Sequence, residues 1–354
     1  MSILLKQSLN KFFAAPLLAL SIFAIGVSSS SYGDYSTHPE AASFIDTMVE
    51  KHQFKREEII AWLKVAEHQT SIVKAMSRPA EKVKPWYEYR KHFISEARIK
   101  GGVKFWQENK ATLERAQREL GVEPAIIVSI IGVETNYGSN TGSYKVVDAL
   151  ATLAFDYYTY TNKRASRKRF FTAELENLFL LAREQNQNPI ELKGSYAGAM
   201  GLGQFMPSSY RNYAVDFDDD QFADIWTNPT DAIGSVANYF SRHGWREGEA
   251  VAMRANNSTD PAEESLNNLH RPKATLAELN GLGYKIIEQL PADTKALPMR
   301  FEAKYGSEYW LGLHNFYVIS RYNPRTKYAM AVYQLSELIR ERNCAQSSTQ
   351  PTDC

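Results

Sequence analysis

Cysteine is scarce in this chain. Its 354 residues hold two, Cys344 and Cys354, both within the last eleven positions. A fold built on disulfides and a zinc site of the cysteine type are thereby excluded. Charge of one sign is missing too. There are 41 Lys and Arg against 40 Asp and Glu, a formal net charge of +1. That excludes a globally basic nucleic-acid binder and leaves only local patches. No internal repeat, long linker or low-complexity tract breaks the chain, and no Gly-Lys-Ser/Thr phosphate loop occurs. No apolar run reaches the ~20 residues that span a bilayer.

A hydrophobic fraction of 44% supports a packed core, and disorder is excluded. The length suits one large domain or two to three smaller ones. The 20 Tyr, 17 Phe and 6 Trp fit a large core, and equally a groove for sugars or peptides. The start of the chain differs from the rest. Lys6 and Lys11 precede an uncharged run from Phe12 to Val27, with Ser28 to Ser31 and Gly33 after it. These are the parts of a cleaved secretory signal. The rival, a membrane anchor, is disfavoured by the short run and by Pro16 within it. No cysteine follows the run, so a lipoprotein anchor has no attachment point. Export also permits a Cys344–Cys354 disulfide, with two unpaired thiols as the alternative.

Residues 39–120 read as helices, with Ile59, Ile60 and Leu63, then Phe105, Leu113, Ala116 and Leu120, at helical spacing, and Gly121 as a stop. Pro124 opens an apolar helix to about Thr135. Further helices are expected at 146–158, 167–186, 207–214 and 229–242. The last begins with an Asn228–Pro229 cap pair and has Asp231 in its first turn. Residues 252–272 are polar. The runs Tyr284–Leu290, Met299–Tyr305 and Tyr309–Ile319 read as strands of a β-rich insertion over 250–315. A final helix is expected from Tyr328 to Arg342.

Two segments carry candidate chemistry. In Ile126–Gly138, Glu134 follows Ile127, Ile130 and Ile131 on one stripe. The stripe aims its carboxyl at the interior or a cleft wall. An apolar setting raises a carboxyl pKa, as a general acid requires. A helix-end Glu reaching solvent or an Arg is the plainer reading of that residue alone. In Lys193–Tyr210, four glycines allow tight turns and close approach of a ligand to backbone. A tight helix connection is the alternative there. Ser195 and Gln204, set among small and apolar residues, favour a ligand site.

The blocks Gly-Val-Glu-Thr-Asn-Tyr-Gly (132–138), Asp148–Asp156, Gly194–Tyr210, Asp231–Phe240 and Asn315–Asn323 resemble, in order and spacing, the membrane-bound lytic murein transglycosylase B family. The resemblance covers about residues 40–340. It implies a mainly α (α+β) fold: a lysozyme-like helical core, a helical flanking domain and a small β-rich domain. The corresponding division is a signal at 1–33, a flanking domain at 34–120, the core at 121–249, the β-rich domain at 250–315, the rest of the core at 316–342 and a tail at 343–354. The implied activity is cleavage of the β-1,4 bond between N-acetylmuramic acid and N-acetylglucosamine, leaving 1,6-anhydromuramoyl ends.

By the same resemblance the catalytic acid falls on Glu134. Groove residues fall on Ser195, Met200, Gln204 and Phe205, and substrate contacts on Tyr89, Tyr239, Tyr322, Asn323 and Tyr328. Plain core with a satisfied hydroxyl is the alternative for each Tyr. Two-carboxylate glycosidases need a second acid. Asp148 and Asp156 are the nearest in sequence, and each reads better as a helix-end or surface acid. One acid suffices if the substrate supplies the nucleophile. A water-using lysozyme-type hydrolase and a non-catalytic peptidoglycan-binding protein are the rivals. No cofactor is required. The expected partners are peptidoglycan glycan strands, with other cell-wall enzymes, no nucleic acid, a monomeric state and a periplasmic location.

Two charged stretches remain. Asp216, Asp218 and Asp220 occupy the first three ligand positions of an EF-hand-like loop. Gln221 stands where that loop has glycine and Thr227 where it has glutamate. A longer calcium loop closed by Asp231 is one reading. A solvated acidic turn, favoured by the missing glycine, is the other. Five cations lie between Lys163 and Arg169. Contact with stem-peptide carboxylates or lactyl groups, with Arg167 as best candidate, competes with a solvated helix start.

Overall fold

The computed structural model describes residues 33–77, 84–259, 261–287 and 290–346. The signal segment before Gly33 and Cys354 of the tail lie outside these residues. Among the described residues no helix is long and apolar enough to cross a membrane.

The described residues of the first stretch form helices: α1 (Ala41–Glu50), α2 (Arg56–Lys64), α3 (Thr70–Ser77), α4 (Trp86–Tyr89), α5 (Glu96–Glu108) and α6 (Lys110–Leu120). Ser95 caps α5 by accepting the Arg98 N–H. Gly121 ends α6 in the left-handed region, φ 69°, where a side chain would be strained. α7 (Pro124–Thr135) follows, with proline at its first position. Every residue of α7 except Glu134 is buried. The expected apolar stripe is therefore a whole apolar cylinder, as befits a central helix.

A two-stranded sheet of β1 (Tyr144–Lys145) and β2 (Lys193–Gly194) brackets α8 (Val146–Ala151) and α9 (Ala165–Glu184). α8 continues as a π-helical stretch, Thr152–Thr161. α10 (Pro207–Tyr213) and α11 (Pro229–Arg242) complete this part. Asn228 caps α11 by accepting the Thr230 N–H.

Five antiparallel strands follow: β3 (Ala252–Asn257), β4 (Ala274–Thr275), β5 (Tyr284–Ile286), β6 (Lys295–Glu302) and β7 (Ser307–Gly312), with α12 (Leu276–Gly281) between β4 and β5. Their order is β4-β6-β7-β3-β5. Alternation sorts the two faces. Ala252, Leu297, Met299 and Phe301 join the main core, which runs from Tyr35 to Ile339. Met253, Ala255, Ala296 and Leu311 cover a smaller core with Leu276, Leu279 and Tyr284. The segment 252–257, read from sequence as part of a polar stretch, is a central strand. The run 309–319 divides: β7 ends at Gly312 and α13 (His314–Tyr322) begins. α14 (Thr326–Gln346) closes the chain.

Candidate active site

Glu134 stands in the last turn of α7. That end of a helix presents unpaired carbonyls and a partial negative charge, which disfavour a second negative group. The residue is partly exposed, yet its carboxyl is enclosed by protein atoms. This burial pushes its pKa up to about 7, against a hydrogen bond from Tyr328 that lowers it. Tyr328 Oη donates to Glu134 Oε1 at 2.5 Å.

The tyrosines expected around the acid converge. Tyr322, at the end of α13, donates its hydroxyl to Gly203 O at 2.5 Å. Its ring lies 4.8 Å from Tyr239, 5.7 Å from Phe240 and 6.0 Å from Phe205. Tyr239 on α11 donates to Arg321 O at 2.6 Å. Burial holds the hydroxyls of Tyr322 and Tyr328 far above the ordinary tyrosine range, and the Glu134 carboxyl reinforces it. Both phenols are therefore fixed donors at neutral pH. Half-buried Tyr89 packs on Phe93 at 5.2 Å and has its pKa raised, mainly by burial and also by Glu134. Arg325 acts on it in the opposite direction. Asn323 sits in the turn between α13 and α14, its carbonyl accepting the Arg325 N–H.

The glycine-rich block is a tight double turn. Met200 pairs with Phe205 and Gly194 across isolated bridges. Gly201 takes φ 68°, and a Cβ there would lie 2.4 Å from Ile225 O. Gln204, itself at φ 53°, donates through Nε2 to Thr141 O and Gly201 O. Ser195 Oγ accepts from the Ala197 and Ala199 N–H groups. Met200 is fully buried. The block thus delivers Phe205 and the Gly203 carbonyl to the tyrosine cluster. Its Ser195 hydroxyl is engaged within its own turn and its Met200 side chain faces the core.

Both neighbouring aspartates are engaged by partners other than Glu134. Asp148 is buried at the start of α8 and accepts from Glu67 N and Gln69 Nε2. Asp156 lies in the π-helical stretch and binds Tyr35 at 2.5 Å, His68 at 2.7 Å and His38 at 3.2 Å. The surface-acid reading of Asp156 is corrected: it joins the chain's first described turn to the core, and those partners hold its pKa down against burial. Arg167 is exposed on α9 and lies over the rings of Phe170 and Phe171, 5.0 Å from each. Its neighbour Lys168 pairs with Glu40.

The four acids of the second charged stretch do converge. One oxygen from each of Asp216, Asp218, Asp220 and Asp231 lies within 4.8 Å of the others. The turn forms without glycine, with Asp219 at φ 63° and Gln221 at φ 78°. Asp231 is fully buried and accepts the Phe217 and Asp224 N–H groups. Burial raises its pKa, and Asp218 and Asp216 add to the rise.

Comparison with known proteins is decisive beside this geometry. A family model described as the transglycosylase SLT domain matches residues 36–337. The chain belongs to the SLT-domain transglycosylase family. It is 43% identical over 316 residues to the membrane-bound lytic murein transglycosylase B of Escherichia coli K12, covering 87% of this chain and 84% of that one. The lytic transglycosylase SltB1 of Pseudomonas aeruginosa is 50% identical, with 88% of this chain and all of that one covered and a TM-score of 0.82. The lytic transglycosylase Slt35 of Escherichia coli, in complex with calcium, is 42% identical, with 88% and 96% covered and a TM-score of 0.77.

Two residues around the site of this SLT transglycosylase escape sequence reasoning. Thr135, next to the acid, bonds through Oγ1 to Leu202 O and accepts from Gly138 N. It ties α7 to the glycine-rich block. Its place beside Glu134 is the only signal for it in the sequence. His243 stacks on Tyr239 at 4.0 Å, one turn along α11, and helical spacing alone links the two.

Proposed function

We propose that this chain is an exported lytic murein transglycosylase working in the periplasm, with Glu134 as its single general acid and base. One observation carries the reading: a lone enclosed carboxyl, raised to about 7 and held by Tyr328. Such a group is protonated often enough near neutrality to act as an acid and ionises readily enough to act next as a base. Glu134 protonates the glycosidic oxygen, the bond to muramoyl carbon 1 breaks, and N-acetylglucosamine leaves with a free 4-hydroxyl. The muramoyl acetamido group stabilises the positive charge at carbon 1. Glu134, now a carboxylate, takes the proton from the carbon-6 hydroxyl as its oxygen bonds carbon 1. The acid is regenerated, a 1,6-anhydromuramoyl end is formed, and no water or cofactor is consumed.

Tyr89 and Tyr322, both partly exposed, offer faces to sugar rings, and buried Tyr239 and Phe205 back Tyr322. Asn323, the Gln204 amide oxygen and the second lone pair of the Gly203 carbonyl suit hydroxyl and acetamido groups, and the Ser195 hydroxyl, which accepts two N–H groups, keeps its own proton to donate. Arg167 serves stem-peptide carboxylates, and Met200 backs the loop. The helical stretch 34–120, the core and the β-rich segment 250–315 share one main hydrophobic core and border one groove. Mass spectrometry of digested sacculi tests the reaction, because hydrolytic products are heavier by one water. Fractionation of cells with a tagged chain tests the location.

A second reading concerns the acidic loop. Four hard carboxylate oxygens within 4.8 Å of one another suit calcium, and the Slt35 relative is known in complex with that ion. Asp216, Asp218, Asp220 and Asp231 would hold it, neutralising their mutual repulsion and fastening the loop to α11. Calorimetric titration with calcium decides this, and absence of heat removes the site.

A further inference from the structure

The turn after Glu134 is built in an uncommon way. Asn136 and Tyr137 both take the left-handed conformation, at φ 51° and 60°. The chain doubles back, and the Tyr137 ring lies across α5 and α7. Three glycines make room for it. A Cβ would come within 2.9 Å of the ring at Gly101, and within 2.7 Å of the hydroxyl at Gly102 and 2.5 Å at Gly132. The Tyr137 hydroxyl donates to Arg98 O at 2.8 Å. The Arg98 guanidinium reaches the opposite way, donating to Gly132 O at 2.5 Å and Val133 O at 3.5 Å. It also lies over the Phe93 ring at 5.7 Å.

Those two carbonyls belong to the residues just before Glu134. Among the described residues no carboxylate pairs with Arg98, and burial lowers its pKa. A half-buried cation without a counter-ion is costly, and here its donors go to one helix end. Both bonds leave one guanidinium nitrogen, Nη1, whose direction the rigid planar group fixes, whereas a lysine ammonium sits on a flexible stem and rotates.

We propose that Arg98, locked by Tyr137 in the three-glycine slot, is a positioning residue that fixes the last turn of α7 and so the reach of the Glu134 carboxyl. This rests on Glu134 being the acid. Arg98 touches no substrate. It acts by holding the backbone, and through it the short Tyr328–Glu134 bond. If the turn loosens, that bond lengthens and its lowering effect on Glu134 is lost.

The test uses the full chain with purified sacculi, at temperatures well below each variant's Tm. Arg98→Ala and Arg98→Lys should lower kcat by roughly 10- to 100-fold, the scale of an ångström misplacement. KM should stay within about threefold, and the alkaline limb of the kcat–pH profile should move upward. Tyr137→Phe, which removes only the locking hydroxyl, should show the same pattern on the order of a few-fold in kcat. If Arg98→Ala does not fold, Arg98→Lys and Tyr137→Phe carry the test. Variants with a lowered Tm but unchanged kcat and pH limb overturn the proposal, leaving Arg98 a structural cap. Glu134→Gln in the same assay separates the two claims: if it stays active, the assignment of the acid itself has failed.

Discussion

Two regions of this molecule gather carboxyl groups and treat them oppositely. Glu134 is alone, with one phenol as its partner and protein around the rest. The acidic loop sets four carboxylates within reach of one another and supplies backbone N–H donors, two of them to Asp231. Burial raises the pKa in both places. The number of donors sets the two apart. N–H groups keep a charge where it is, and the cluster then calls for a cation. A single phenol leaves the carboxyl poised between its two forms. On the proposed function, an acid for proton transfer is thus made by withholding partners, and a cation site by multiplying them.

The largest break in that comparison is Glu134→Gln. Turnover of sacculi should fall by at least about 10²–10⁴-fold with the fold intact; retained anhydro-product formation would sink the assignment. The same variant should be more stable than the parent at pH 8. The Glu134 pKa is raised on folding, so its contribution is full below about 4.5, the ordinary value, and is lost as pH rises through about 7. Removing the ionisable group should recover about 2–3 kcal/mol at alkaline pH, read as a higher Tm there and little change at pH 4.

Tyr328→Phe comes next. It deletes the bond that lowers the Glu134 pKa, so the alkaline limb of activity should move up from near 7 while kcat falls by roughly tenfold. An unmoved limb would mean that the bond does not tune the acid. At the acidic loop, calcium should raise Tm by a few degrees. Asp231→Asn should remove that response while leaving the alkaline limb in place. Smallest is Asn228→Ala, which takes a cap from α11 and a bond from Asp218. It should cost about 1 kcal/mol and weaken the calcium response without touching turnover.

Where local chemistry marks an element, the sequence is legible. Pro124 and the apolar run behind it mark both ends of α7, Asn228–Pro229 begins α11 as expected, and Gly121 ends α6. β3 escapes because Ala-Met-Arg-Ala-Asn-Asn has no β-branched residue and two strand-poor asparagines. Its strand character comes from pairing with β5 and β7 on either side. The π-helical stretch is invisible for a related reason: its burial pattern departs from helical period only after packing. Glu134 is legible as an acid aimed inward. Its partner in proton balance is not, since resemblance offers Tyr328 as a sugar contact and no spacing rule joins residues on α7 and α14. Arg98 lies in a helix with ordinary surface charges, and its target is a backbone that sequence does not display.

The chain leaves its helical core after α11, builds a five-stranded sheet, and returns only with α13 and α14. Tyr322 and Tyr328 arrive on those returning helices, the second of them 194 residues after the carboxyl it holds. Contacts of such separation form late, once the intervening loops have closed. A chain cut before Thr326 would carry the acid without its phenol or its altered proton affinity. The enclosure of the carboxyl thus belongs to the completed fold, because one of its walls is the closing helix.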